Sequence, residues 1–309
     1  MKKIKIQSGL DKVLEGLPDS WGVFAFYRQD ECLYYCKSGN LRFRLLGMYQ
    51  RKDSDSLLSE LFLEADTISF NVYAEPLMAL IDEKVFLSKH SSLFQQRLWV
   101  WKAYPYLAFN AYQYPFIKVC DQPNDDWQYI GPFRSRFFLA DVIDTYAKLL
   151  KIPNCDGASY PCDRRQNGTC NAYCLALEEG NGNDLDKLDC LLKEAFVHPN
   201  NGILELVQKE KQRYFDELAF DKVDLLNDET ELLAKYRDWL SFLYVAKDLE
   251  YEDELCQIKD GLLHSAVFRG KSYRFTHNKT EYRTNEALAL NKEQVDECRI
   301  LYSYIKKHR

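Results

Sequence analysis

Trp21-Gly22-Val23-Phe24-Ala25-Phe26-Tyr27, then Cys32-Leu33-Tyr34-Tyr35-Cys36-Lys37, then Asn40-Leu41-Arg42-Phe43-Arg44 decide how the front of this chain folds. The first two runs are aromatic and β-branched, and the polar residues Arg28 to Glu31 lie between them, which predicts a β-hairpin. Asn40 to Gln50 places Leu41, Leu45 and Met48 at i, i+4 and i+7, so a helix follows the hairpin. Further out, Thr67 to Tyr73 alternates as a strand does, and Glu75 to His90 has a helical inner face of Leu77, Ala79, Leu80 and Leu87. The Pro- and Tyr-rich stretch 103–135 reads as strands and loops that close this domain. The expected fold class is therefore α/β (α+β), with a first domain over 1–136.

Downstream, Phe137 to Lys151 reads as a helix and 155–174 holds a cluster of cysteines. A Gly- and Asn-containing run at 179–184 reads as a linker. Helical patterns cover roughly 185–197, 202–218 and 221–247. Leu262 to Phe275 reads as a hairpin turning at Arg269-Gly270, and Lys292 to Lys307 as a closing helix. The expected divisions are a cysteine-cluster segment over 137–180, a helical region over 185–247 and a small C-terminal α+β unit over 248–309.

Bulk composition narrows the function. The chain has 309 residues and a formal charge of −6, a balance that argues mildly against a general nucleic-acid binder. Charge is uneven, however: Lys37, Arg42, Arg44, Arg51 and Lys52 lie in 37–52 with no acid among them, a local stripe suited to phosphate. Met1-Lys2-Lys3-Ile4-Lys5-Ile6-Gln7 is no secretory signal, and no run approaches the roughly 18 apolar residues of a membrane span, so a cytoplasmic location and no membrane partner are expected. In that setting the ten cysteines point to thiol or metal chemistry more than to disulfides, and the N-x-T matches at Asn167 and Asn278 carry no meaning.

Gly22-Val23-Phe24, Tyr34-Tyr35-Cys36-Lys37 and Asn40-Leu41-Arg42-Phe43-Arg44, in this order, resemble the GIY-YIG nuclease pattern of the UvrC excision-repair family and its short Cho homologues. Glu83 falls where that family places its metal-binding glutamate. Tyr114-Pro115-Phe116-Ile117-Lys118 and Tyr129-Ile130-Gly131-Pro132-Phe133 resemble two elements that follow it. The resemblance implies a DNA endonuclease making a metal-dependent incision near a lesion in damaged double-stranded DNA. Tyr34 would be the general base, Glu83 the Mg²⁺ (or Mn²⁺) ligand, and Lys37 and Arg44 would bind phosphate with help from Arg42 and Gln95. Mg²⁺ suits one protein carboxylate because it keeps several waters. Each residue also has a plainer reading. Glu83 borders an apolar helix face and needs a partner, which a salt bridge to Lys37, Arg42 or Arg44 also supplies; Arg44 fits a solvated helix face, and Tyr34 a packed aromatic. Four positions depart from the family: Phe24 replaces its first tyrosine, Cys36 the glycine of its second strand, Met48 a tyrosine and Gln95 an asparagine. They keep open an alternative, a catalytically decayed scaffold that binds DNA or UvrB.

Cys155, Cys162, Cys170 and Cys174 are spaced C-x6-C-x7-C-x3-C. Four thiolates hold zinc or an iron–sulfur cluster, and spacing alone does not choose between them or exclude four reduced core cysteines. Pro161-Cys162 and Gly168 to Cys174 resemble the UvrC cysteine segment, which implies a [4Fe–4S] cluster, with Zn²⁺ as the alternative. Glu217-Leu218-Ala219-Phe220-Asp221-Lys222-Val223-Asp224-Leu225-Leu226 resembles the UVR hairpin, which in that family docks on UvrB. The resemblance assigns Leu218, Phe220, Val223 and Leu226 to a UvrB-like partner, and the plainer reading is a helix pair packed on its own neighbours. The tail offers no carboxylate constellation for a second nuclease, which fits the single-incision Cho type.

Overall fold

The structure is a computed structural model that describes residues 1–7, 9–123, 126–152, 162–198, 201–277 and 288–308, without the side chains of 201–204, 206 and 225. The chain divides into two compact units, Met1–Val100 with Ala246–Lys279 and Asp296–Arg309, and Trp101–Val245 with Thr280–Val295.

The first unit starts from a four-stranded antiparallel sheet in the order β1-β4-β2-β3, made of β1 (Lys2–Lys5), β2 (Gly22–Arg28), β3 (Glu31–Ser38) and β4 (Thr67–Val72). The expected hairpin is β2–β3, and Arg28 faces Glu31 across a two-residue loop in which Gln29 takes a left-handed φ of 54°. A bulge interrupts it. Phe26 faces Tyr34 and Tyr27 faces Cys32, so Leu33 is the extra residue. Leu33 and Tyr34 therefore both enter the core on one face, with Phe24, Phe26 and helices α1 (Leu10–Glu15), α2 (Leu41–Arg51) and α3 (Ser56–Glu64). Tyr35 goes to the other face with Val23, Ala25 and helix α4 (Pro76–Leu87). Strand β1 and helices α1 and α3 had no counterpart in the sequence reading.

Helix α4 is covered on a second side as well. Its Leu77, Leu80, Ile81 and Val85 share a core with Ile258, Leu263, Phe268, Ile300, Leu301 and Ile305. These belong to an antiparallel sheet in the order β11-β10-β9-β8, made of β8 (Tyr251–Glu252), β9 (Cys256–Lys259), β10 (Leu262–Phe268) and β11 (Lys271–Arg274), and to the helix α11 (Lys292–His308). Of the segment 248–309, expected as a small unit of its own, the part up to Lys279 and the part from Asp296 group with the first unit, and Thr280–Val295 with the second. A helix packed on two sides has little polar face left, and α4 buries Asp82 and Glu83 along with its apolar residues. Both acids need internal partners.

The second unit holds a three-stranded sheet in the order β6-β5-β7, from β5 (Tyr106–Phe109), β6 (Ile117–Cys120) and β7 (Gln128–Ile130). Helices α5 (Arg136–Leu149), α6 (Asp163–Gln166), α7 (Tyr173–Glu178), α8 (Gly182–Phe196), α9 (Asn201–Asp216) and α10 (Phe220–Val245) follow. Phe133, Tyr146, Phe196 and Tyr236 pack ring on ring, and the Tyr236 hydroxyl donates to Phe196 O at 2.9 Å. The stretch 103–135, expected to close the nuclease-like domain, falls in this unit. Among the described residues no helix is long and apolar enough to cross a membrane.

Candidate active site at the edge of the first sheet

Strand β3 is an edge strand, and its outer backbone groups are taken up one by one. Phe94 N donates to Leu33 O at 2.9 Å, Tyr35 N donates to the Gln95 side-chain oxygen at 3.2 Å, and Lys37 N donates to Glu83 Oε1 at 2.9 Å. The edge is thereby closed to further strand pairing. Gln95, expected on phosphate, spends its carbonyl on this backbone.

The second Glu83 oxygen takes the Lys37 ammonium at 2.6 Å, with 11% of the Glu83 side chain and 21% of the Lys37 side chain exposed. Of the three cations weighed as partners for Glu83, the structure selects Lys37. Burial draws the Lys37 pKa down, but the Glu83 charge outweighs it and leaves the ammonium raised. A raised lysine stabilises the fold fully below its unfolded pKa of about 10.4, and that stability is lost only as the pH climbs through the raised value. The pair is intact at neutral pH.

Tyr34 approaches from the opposite face. Its ring stands edge-on to Phe24 at 6.0 Å, and its hydroxyl donates to Leu98 O at the long distance of 3.5 Å. Burial, with the Cys36 thiol adding, raises the Tyr34 pKa well above its ordinary value, and the Arg44 guanidinium pulls the other way. The phenol is therefore protonated at neutral pH. Cys36 lies between Tyr35 and Lys37 on the strand and packs against the core that holds Tyr34. Burial and then the Glu83 charge push its thiol up to about 11, with Arg44 and Lys37 opposing. Its sulfur donates to Lys37 O at 3.1 Å. Arg42 turns elsewhere, its Nε donating to Asp19 at 2.8 Å. Phe24 and Met48 are core residues with no route to a substrate.

A thiol of pKa about 11 is thiolate to only on the order of 10⁻³ at pH 8. Under limited alkylation at pH 8 the exposed Cys190 is expected to label well before the partly buried Cys36, whose thiol is pushed up to about 11. Peptide mapping of the labelled protein checks this, and Cys36 labelling as fast as Cys190 contradicts it.

Asp82, next to Glu83, accepts from the Tyr73 hydroxyl at 2.6 Å. Glu297 repeats the Glu83 pattern elsewhere in the first unit: Oε1 accepts from Leu263 N at 2.9 Å and Oε2 takes the Lys84 ammonium at 2.7 Å. The signal for the first was an acid pair on an apolar helix; for the second nothing local marked it.

Cys155 lies outside the described residues. Cys162, Cys170 and Cys174 are partly buried, Cys162 at the start of α6 and Cys174 in α7, and the Cys170 sulfur accepts from Ala172 N at 3.2 Å. Among the described residues no three His, Cys, Asp or Glu side chains are gathered to hold a metal. At the hairpin, Leu218 is 72% exposed in the turn between α9 and α10, and Phe220 is also exposed, while Val223 is half-buried and Leu226 buried.

No protein-family model matches the chain. It is similar to UvrABC system protein C of Fervidobacterium nodosum, 23% identical over 233 residues, which is 74% of this chain and 39% of that protein. It is likewise similar to the UvrABC system protein C of Dictyoglomus thermophilum, 28% identical over 264 residues covering 78% of this chain and 41% of the other, and to that of Neisseria meningitidis serogroup B, 26% identical over 78% and 38%. The chain spans about four-tenths of the length of these relatives. Among solved structures, the magnesium-bound GIY-YIG N-terminal endonuclease domain of UvrC from Thermotoga maritima aligns at 20% identity and a TM-score of 0.27, over 29% of this chain and 98% of that one.

Proposed function

We propose that this chain is a metal-dependent DNA endonuclease of the excision-repair type, cutting a phosphodiester near a lesion. The observation that carries it is Glu83, partly exposed and held by Lys37 at the edge of β3, on the same sheet edge as Tyr34. Similarity to UvrABC system protein C supports it.

The residues fit a hydrated divalent cation. Each Glu83 oxygen takes one N–H donor from Lys37 and keeps a further lone pair, and part of the side chain faces solvent. A single carboxylate is enough for Mg²⁺ or Mn²⁺, which retain waters. When bound, the ion supplies Lewis acidity at the phosphate and a water of lowered pKa. The rest falls to the chain. Arg44 presents its planar guanidinium to two phosphate oxygens, and the Lys37 ammonium adds a point charge beside it. Tyr34 holds its proton against Cys36 and Arg44, and it becomes a base only when added positive charge lowers its pKa.

A second reading has an observation of its own. Both Glu83 oxygens are already satisfied by Lys37, and the Tyr34 hydroxyl is sealed in the core. On that reading the site has decayed and the chain binds DNA without cutting it. Incubating a lesion-containing duplex with the full chain in Mg²⁺, and in parallel with a chelator, decides. Incision confined to the Mg²⁺ arm supports the nuclease. Binding without incision in either arm supports the scaffold.

We further propose the α9–α10 turn as the docking element for a UvrB-like protein. Phe215 and Phe220 pack edge to face at 5.7 Å, and Leu218 stands beside them in a left-handed conformation at φ 58°. A branched residue there costs about 1 kcal/mol, which glycine does not. Strain of this kind points to a side chain kept for contact. Leu218→Gly is expected to leave stability unchanged or raised by up to about 1 kcal/mol while weakening partner capture at least tenfold. A melting curve and a binding isotherm with a UvrB protein test both halves; loss of stability with undiminished binding contradicts the assignment.

The four-cysteine cluster is a separate proposal, because its described thiols are not gathered. Iron or zinc analysis of anaerobically purified protein tests it: one cluster or ion per chain supports it, and metal-free protein removes it.

A further inference from the structure

Helix α2 satisfies its apolar needs on one side, through Leu41, Leu45 and Met48, all of them buried. On its outer side Phe43 is 78% exposed. Single surface hydrophobics are ordinary, so exposure alone says little, but three further observations set this ring apart. First, its neighbour one turn further along the helix is Gly47, at i+4, and a Cβ built there meets no atom within 4 Å, while the position four residues back, Gly39, precedes the helix and has no side chain either. No side chain from those positions covers the ring. Second, Phe43 is flanked in sequence by Arg42 and Arg44, and Arg44 is the residue whose charge reaches Tyr34 and Cys36. Third, the ring belongs to the acid-free stretch 37–52 of an otherwise acidic protein. Arg42 is tied to Asp19 and Lys37 to Glu83, yet Arg44 remains beside the site with no acid of its own sequence neighbourhood to neutralise it.

An open aromatic ring flanked in sequence by Arg42 and Arg44 matches one kind of occupant. Proteins that hold single-stranded or locally opened nucleic acid combine cations on the backbone with aromatic rings on the bases, and apolar wedges part base steps at bent duplexes. A protein partner would meet the same ring, but a stretch of five cations with no acid in it, in which Arg44 makes no salt bridge among the described residues, complements a polyanion. We infer that Phe43 stacks on an unpaired or displaced nucleobase of the DNA that lies across the edge of β3, next to the phosphate held by Arg44. The inference deepens the nuclease reading and rests on it for the identity of the ligand as DNA. It adds a specificity element: a preference for DNA whose bases are already unstacked.

The test uses the full chain in a chelator, so that nothing is cut, and compares the unaltered protein with Phe43→Ala, Phe43→Trp and Leu63→Ala, the last being an equally exposed apolar residue on α3. Affinity is measured for a duplex carrying a short unpaired bubble and for the same duplex fully paired. Stacking is worth roughly 1–3 kcal/mol per base, so Phe43→Ala is expected to lose about tenfold on the bubble and less than twofold on the paired duplex. Phe43→Trp is expected to keep bubble affinity, and Leu63→Ala to match the unaltered protein on both. Equal affinity of Phe43→Ala and unaltered protein for the bubble overturns the inference, as does an absence of binding to either DNA. Incision in Mg²⁺ is scored separately. If the unaltered chain cuts but Phe43→Ala binds normally, only this inference falls; if nothing cuts and the tenfold loss persists, only the nuclease reading falls.

Discussion

Glu83→Gln is expected to lower Mg²⁺-dependent incision by roughly 10³-fold or more while leaving most of the protein folded. A catalytic metal supplies several kcal/mol of transition-state stabilisation, and each 1.36 kcal/mol is a factor of ten, so removing its carboxylate removes about three decades. Glutamine keeps an acceptor for Lys37 N but cannot balance the Lys37 ammonium. Unpairing one member of a buried ion pair costs about 3–5 kcal/mol, somewhat less here because both side chains are partly exposed. Lost activity and lost stability would therefore arrive together, and either alone would be ambiguous. The first unit contains its own control. Glu297 bonds one backbone N–H and one lysine at 2.9 and 2.7 Å, against 2.9 and 2.6 Å for Glu83, and its side chain is 11% exposed like that of Glu83. Glu297→Gln should cost similar stability and leave the chemistry alone.

Gly22→Ala is expected to destabilise the first unit by roughly 3 kcal/mol, or about 10 °C in melting temperature. Gly22 opens β2 and begins the Gly22-Val23-Phe24 element. A Cβ there would overlap the backbone oxygen of Asn71 and come within 2.6 Å of Leu41 Cδ1. Backbone on one side and a fully buried leucine on the other leave nowhere to move, so either β2 and β4 separate or α2 shifts. This glycine is therefore required by packing, whatever the site does. Gly47→Ala, on the open side of α2, should be neutral or slightly stabilising, because helix propensity then acts alone. Thermal melts of the two variants check the contrast, and a Gly22→Ala protein melting with the parent would mean that β2, β4 and α2 pack less closely than described.

The hairpin β2–β3 and helices α2 and α4 were legible because their signals are local: aromatic runs parted by polar residues, and leucines at helical spacing. The bulge at Leu33 was not, since Cys32 to Cys36 is apolar throughout and hides the change of face. The burial of α4 on two sides was not legible either. Its second cover comes from residues about 180 further on, and no periodicity within α4 announces it. The site shows the same limit. Tyr34, Lys37, Arg44 and Glu83 were named from a motif resemblance, and the meeting of Glu83 with Lys37 depends on the edge position of β3. The role of Gln95 as a backbone clamp has no trace in spacing, and spacing left Lys37 as only one of three candidate partners of Glu83. The cysteine segment remains read from sequence alone at Cys155.

The most direct measurement sets three proteins side by side on one lesion-containing duplex, with initial cutting rates in Mg²⁺ corrected for the folded fraction of each. Unaltered chain and Glu297→Gln should incise at comparable corrected rates, with Glu83→Gln at background. Equal corrected rates for Glu83→Gln and the unaltered chain would show that the carboxylate at the edge of β3 is only half of an ion pair, and that no catalytic cation is held there.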